Sequence, residues 1–208
     1  MNKKIILLLI VIFFVSCTRI SFLHTISDIG ENKIFKKEVL GKWSQSGEKD
    51  KEIILIDSSQ SEGSGLVYRI KIFGTEDKFD FGDSSFFIGE LFEVEGKHFM
   101  MIGSDYEHRM FKEMGMYNMA TVIPTFYVIR FFTIEKDKLE IGVLDGDAFM
   151  ELVKEKKFNF KHEVIEADKD GKPDDVIVFE KSGELKKKLV ELDKFPEVYE
   201  RTVYHKIK

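Results

Sequence analysis

The heptapeptide LVYRIKI, residues 66–72, decides the fold class. Leu66, Tyr68, Ile70 and Ile72 point one way from an extended chain, while Arg69 and Lys71 point the other. That is a strand with one dry and one wet face. Outward from it, FFIGELFEVEGKHFMMIG (86–103) reads as two strands joined by a tight turn at Glu95-Gly96, the glycine supplying a positive φ. TFYVIRFFTIEKDKLEIGVLD (125–145) reads as a second hairpin, turning through Glu135 to Lys138. Shorter strand candidates are 42–46, 52–57, 162–167, 175–180 and 201–206. Strands adjacent in sequence form antiparallel meanders. Two helices interrupt them late: Asp147 is placed to cap one through Lys156, and Ser182 to cap another to about Asp193. The prediction is a mainly β fold, a single antiparallel barrel of about eight to ten strands with one or two short C-terminal helices; a two-sheet sandwich is the alternative.

Composition narrows the setting. The 208 residues include 32 basic and 37 acidic ones, three prolines and one cysteine. An acidic chain with interspersed charges argues against nucleic acid as partner, since that calls for a basic patch. No disulfide can form, so the fold rests on burial, for which twenty phenylalanines are available. The length suits one domain with a real core.

The single cysteine, Cys17, follows Lys3, Lys4 and an apolar run from Ile5 to Val15. Eleven apolar residues are about half of what a spanning helix needs, and a basic start before a short apolar stretch is the layout of a secretory signal peptide. Phe14-Val15-Ser16-Cys17 resembles the lipobox of bacterial lipoproteins, with Phe14 where leucine is usual. The resemblance implies a signal peptide over residues 1–16, cleavage before Cys17, a diacylglyceryl thioether on its sulfur and an acylated amino group. Two or three acyl chains anchor stably where one is marginal. Residues 17–37 are then read as lipidated cysteine and tether, and 38–208 as the domain. Such lipoproteins sit on the membranes of the cell envelope; Thr18 in the next position points to the outer membrane where there is one.

Gly41-Lys42-Trp43, in VLGKWSQ, resembles the Gly-x-Trp opening of lipocalins, whose tryptophan plugs the closed end of an eight-stranded barrel and often stacks with a late arginine. Arg201 is the candidate for that partner. Residues 38–206 are also similar in layout to uncharacterised lipocalin-like envelope lipoproteins, through GELFEVEGKHFMMI, PTFYVIRF and FEKSGELKKKL. The function this implies is binding or carriage of a small apolar ligand; a structural or interaction lipoprotein whose barrel its own side chains fill is the alternative.

Three constellations invite chemistry. Six of the eight methionines fall within residues 100–119, and Tyr106, Met110, Met114 and Tyr117 recur at helical spacing. They make a surface stripe, a ligand-contacting lid or a soft-metal site with His108. EADKDGKPDD offers Glu166, Asp168, Asp170 and Asp174 around Gly171, a calcium loop or a plain acidic turn. Glu90 and Arg130 sit among apolar neighbours on predicted strands: either they point into the barrel, where as a pair they would orient a ligand head group, or they face solvent. With scattered histidines, no Gly-x-Ser-x-Gly elbow and no phosphate-cradling loop, the reading is of a protein that is not an enzyme and has no cofactor beyond the lipid and the calcium candidate.

Overall fold

The computed structural model describes residues 18–26, 31–45, 53–61, 65–73, 84–104, 125–167 and 173–207. Among them are strands β1 (Arg19–Phe22), β2 (Lys33–Ile34), β3 (Gly41–Gln45), β4 (Ile53–Ser61), β5 (Gly65–Phe73), β6 (Ser84–Val94), β7 (Lys97–Ser104), β8 (Tyr127–Ile134), β9 (Lys138–Leu144), β10 (His162–Ala167), β11 (Pro173–Val178) and β12 (Tyr199–Lys206), with helices α1 (Gly146–Lys154) and α2 (Ser182–Leu192).

Eight strands close a ring in the order β3-β4-β5-β6-β7-β8-β9-β12, and β12 pairs back onto β3 through Tyr204 opposite Gln45. Every neighbouring pair is antiparallel. The chain is a closed lipocalin-like barrel, and closure leaves the ring no free edge. The 66–72 alternation holds at its centre, where Tyr68 and Ile70 lie in the interior and Arg69 is exposed; at its start Leu66 is 50% exposed and Val67 is buried on the outer face. At the β6–β7 turn both Glu95 (φ 51°) and Gly96 (φ 73°) are left-handed, which suits the twist of the flanking strands.

Residues 145–198 form an insertion between β9 and β12, and its two strands do not join the ring. β10 and β11 pair with each other, and β1 adds in parallel beside β11, Arg19 opposite Asp175. The expected 17–37 tether is therefore corrected over its described part. Ile20, Phe22 and Ile26 are buried, and β2 pairs with β6. The chain is tied down because apolar residues at 20, 22 and 26 find the outer barrel wall dry.

That wall explains the layering. On β6, β7 and β8 both faces are apolar. Leu91, Met100, Ile102 and Phe131 face the interior, while Phe92, Val94, Phe99, Met101 and Val128 face outward. The outward set packs against Phe149 and Leu152 of α1, Val176 and Val178 of β11, and Leu185, Leu189 and Leu192 of α2. Phe158, Phe160 and Phe149 stack through this second core with centroids 4.9 and 5.2 Å apart.

The expected caps shift. Asp145, not Asp147, caps α1, its Oδ1 accepting from the amides of Asp147 (2.9 Å) and Ala148 (3.1 Å). Ser182 is the first residue of α2, whose preceding residue Lys181 makes no side-chain cap bond.

Gly146 admits β1 at close range. A Cβ there would lie 1.7 Å from the Thr18 carbonyl oxygen. Gly146→Ala is expected to displace β1 and cost about 2 kcal/mol or more, several degrees in Tm. Gly183→Ala in α2, where a Cβ meets nothing within 4 Å, should leave Tm unchanged or raise it slightly. Thermal melts of the two variants, with proteolysis near residue 18, check both.

Candidate functional site

The antiparallel order sends the β4–β5, β6–β7 and β8–β9 connections and the entry to β3 to one end of the barrel. The β3–β4, β5–β6 and β7–β8 connections and both junctions of the insertion lie at the other.

The first end is closed. A 3-10 turn at Lys37–Val39 leads into β3, and the Trp43 indole, wholly buried, donates to the Val39 carbonyl at 2.9 Å. Tyr68 reaches across, accepting from the Lys36 amide (2.7 Å) and donating to the Lys36 carbonyl (3.2 Å), with Phe35 stacked on its ring at 4.9 Å. Burial pushes the Tyr68 phenol up to about 12. The partner expected on Trp43 is corrected: the Lys206 ammonium lies 4.9 Å from the Trp43 ring, while Arg201 stacks on Phe132 at 3.7 Å. Gly41 makes this arrangement feasible, with φ +136° and the Lys206 side chain passing where a Cβ would be.

Packing loosens along the interior. At mid-barrel Leu91, Met100, Phe131, Leu139 and Tyr204 are buried. A Cβ on Gly89 would already touch Met100, Ile70 and Ile102 at 3.0–3.3 Å, so side chains fill this level. Toward the other end Ile54, Ile72, Phe87 and Ile129 are only partly buried. At the rim Tyr127 stands opposite Ile102 and Val143 opposite Ile129, which gives both the inward-facing register. Yet Tyr127 is 39% and Val143 47% exposed. The interior is a plugged cup whose open mouth carries Tyr127 and Val143, with the exposed Glu200 opposite Val143.

The Glu90–Arg130 pair does not form. Both residues fall in the outward row, because alternation on β6 and β8 assigns them the face of Phe92 and Val128. Glu90 bonds Lys33 at 2.8 Å. Arg130 lies in a dry layer between Phe99 and Phe132, its Nε 3.0 Å from Asp193 just past α2, and it also donates to the Phe131 and His98 carbonyls. Lys97 adds a second cation 3.2 Å from Asp193. Beside them the buried Tyr199 hydroxyl faces Asp193 and makes no well-formed hydrogen bond among the described residues. Burial first, then the nearby Asp193 charge, keeps it protonated far above its usual range. Glu180, also buried, bonds Lys188 and the Lys161 amide.

Met110, Met114 and Tyr117 lie outside the described residues, as do Cys17, Asp168 and Asp170. Glu166 and Asp174 fall on β10 and β11 without described side chains, while their neighbour Asp175 pairs with Arg19 at 2.6 Å. Among the described residues no three His, Cys, Asp or Glu side chains converge on a metal position. Sequence reasoning missed the contacts of Thr18 with Asp147, of Asp193 with Arg130 and of Lys206 with Trp43. No protein-family model, curated protein or solved structure matches the chain.

Asp193→Ala should cost about 3–5 kcal/mol by stranding Arg130, whereas Arg130→Met with Asp193→Leu should recover most of it, as read by denaturant titration. Acid should act in two stages. Burial and then the Lys36 charge hold His98 below its ordinary 6.5, so the unfolded chain takes up that proton first and stability starts to fall below pH 6.5. Burial works to raise Glu180, but Lys188 and the Lys161 amide outweigh it and keep its carboxyl below the ordinary 4.5. Its stabilisation is complete above pH 4.5 and is lost as pH falls through the lowered value. His98→Gln should remove the upper stage and Glu180→Gln the lower.

Proposed function

We propose that this is a lipid-anchored cell-envelope protein that takes a small apolar ligand at the mouth half of its barrel. One observation carries the reading: at the insertion end the inward-register Tyr127 and Val143 are 39% and 47% exposed, while Leu91, Met100 and Phe131 on neighbouring strands are buried. Apolar side chains left wet on the inner face of a rim are what a hydrophobic ligand would cover. The filled mid-barrel limits that ligand to the outer half, so a single chain or flat ring entering end-on fits better than a large enclosed cargo. The anchor rests on Cys17 and the sequence before it, where covalent lipid would supply the attachment.

The packed interior also favours a second reading, a structural or interaction lipoprotein with no ligand. Native mass spectrometry of the chain from Thr18, purified without detergent, separates the two. A stoichiometric apolar adduct, or saturable uptake of a fatty acid or hydrophobic dye, is the expected result. Val143→Glu should weaken that uptake roughly tenfold, about 1.4 kcal/mol, with Tm held. A bare mass with no uptake would establish the filled barrel. For the anchor, Cys17→Ala should move the protein from the membrane to the soluble fraction.

A further inference from the structure

Thr18, the first described residue, is not at the end of a leash. It is 3% exposed, and its hydroxyl lies 2.8 Å from Asp147 Oδ1 and 2.5 Å from the Pro173 carbonyl. Its own carbonyl fills the space over Gly146. Four residues on, Phe22 exchanges both backbone hydrogen bonds with Phe126 at 2.8 Å. Gly146 is three residues beyond Val143, and Phe126 immediately precedes Tyr127. Two independent ties therefore hold the start of the fold to the mouth rim. Three residues of extended chain span at most about 11 Å, so Gly146, against which Thr18 packs, sits within that reach of Val143. Cys17 is one peptide bond beyond Thr18, ~3.8 Å between Cα atoms.

We propose that the barrel mouth faces the bilayer, and that the exposed rim at Tyr127 and Val143 is a membrane-docking surface through which the cup exchanges its apolar ligand with the lipid phase. The inference rests on acylation of Cys17 as read above. With chains rooted in a fixed residue and no spacer, the bilayer surface cannot lie far from the mouth. The closed end is then held away by the length of the strands. The eight residues of β8 make seven steps, a rise of about 23 Å, or ~18 Å along a barrel axis tilted near 40° from the strands. That exceeds the few ångströms of headgroup region on each side of the hydrocarbon. A tyrosine at the rim suits the interface, where an amphipathic ring has one apolar and one wet part.

The test uses the full-length lipidated protein in phosphatidylethanolamine/phosphatidylglycerol vesicles whose acyl chains carry a nitroxide quencher. Since the native thiol is consumed by lipid, a single introduced cysteine carries the fluorophore, at Val143→Cys in one sample and Glu95→Cys at the closed-end turn in the other. Mass spectrometry of the N-terminal peptide first establishes that Cys17 is acylated; without acylation the anchoring reading fails before orientation is asked. With acylation present, quenching several-fold stronger at position 143 than at 95 is expected. A flexible Gly/Ser insert of about 20 residues between Cys17 and Thr18 should abolish that difference while leaving the protein membrane-bound. Equal quenching without the insert, or stronger quenching at 95, would overturn the proposal.

Discussion

The structure depends on one constraint: the strands β6, β7 and β8 are apolar on both faces. Leu91, Met100 and Phe131 close the interior, and on the alternate positions Phe92, Phe99 and Val128 would meet water if the barrel stood alone. An outer layer is thus required, and the chain supplies it twice. The 145–198 insertion leaves the ring after β9 and returns at β12, and β1 arrives from the N-terminus to complete its small sheet. One wall serves two cores, so hydrophobic burial couples the ring to everything attached outside it.

Polar contacts then set where that layer sits. Arg130, Lys97 and Asp193 bind the segment after α2 to β7 and β8, and Glu180 with Lys188 fastens α2 to the segment before it. Buried ion pairs of this kind add little net stability over apolar residues of the same shape. Their effect is on register, since a shifted α2 would leave Arg130 charged and unpaired in a layer made of phenylalanine.

The same layering gives the barrel two unlike ends. Trp43, Tyr68, Val39 and Lys206 seal the end without insertions, where tight turns bring strands close. The insertion's two junctions hold the other end to β1, and there the inward rows loosen toward Tyr127 and Val143. Function, as proposed, follows from placing an anchor root and an apolar rim at the same end.

The strand pattern was legible at 66–72 because Arg69 and Lys71 alternate with Tyr68, Ile70 and Ile72, although Val67 on the arginine's face is buried. The β6–β7 hairpin was legible from Glu95-Gly96, whose backbone preference is local. Gly41-x-Trp43 pointed to the plugged end, and the glycine's left-handed φ supplies a physical cause for the pattern. The interior placement of Glu90 and Arg130 failed because in a strand apolar on both sides neighbours do not tell inside from outside. Asp193, which decides Arg130's role, is 63 residues away. The amino-acid sequence by itself therefore determined an antiparallel β meander with two late helices, since period and turn chemistry are properties of adjacent residues. Only the tertiary structure decided the closed ring over the two-sheet alternative, the burial of Thr18, Ile20 and Phe22, and which end lies open. Those follow from pairings between residues far apart in the chain, whose free energy has no local trace.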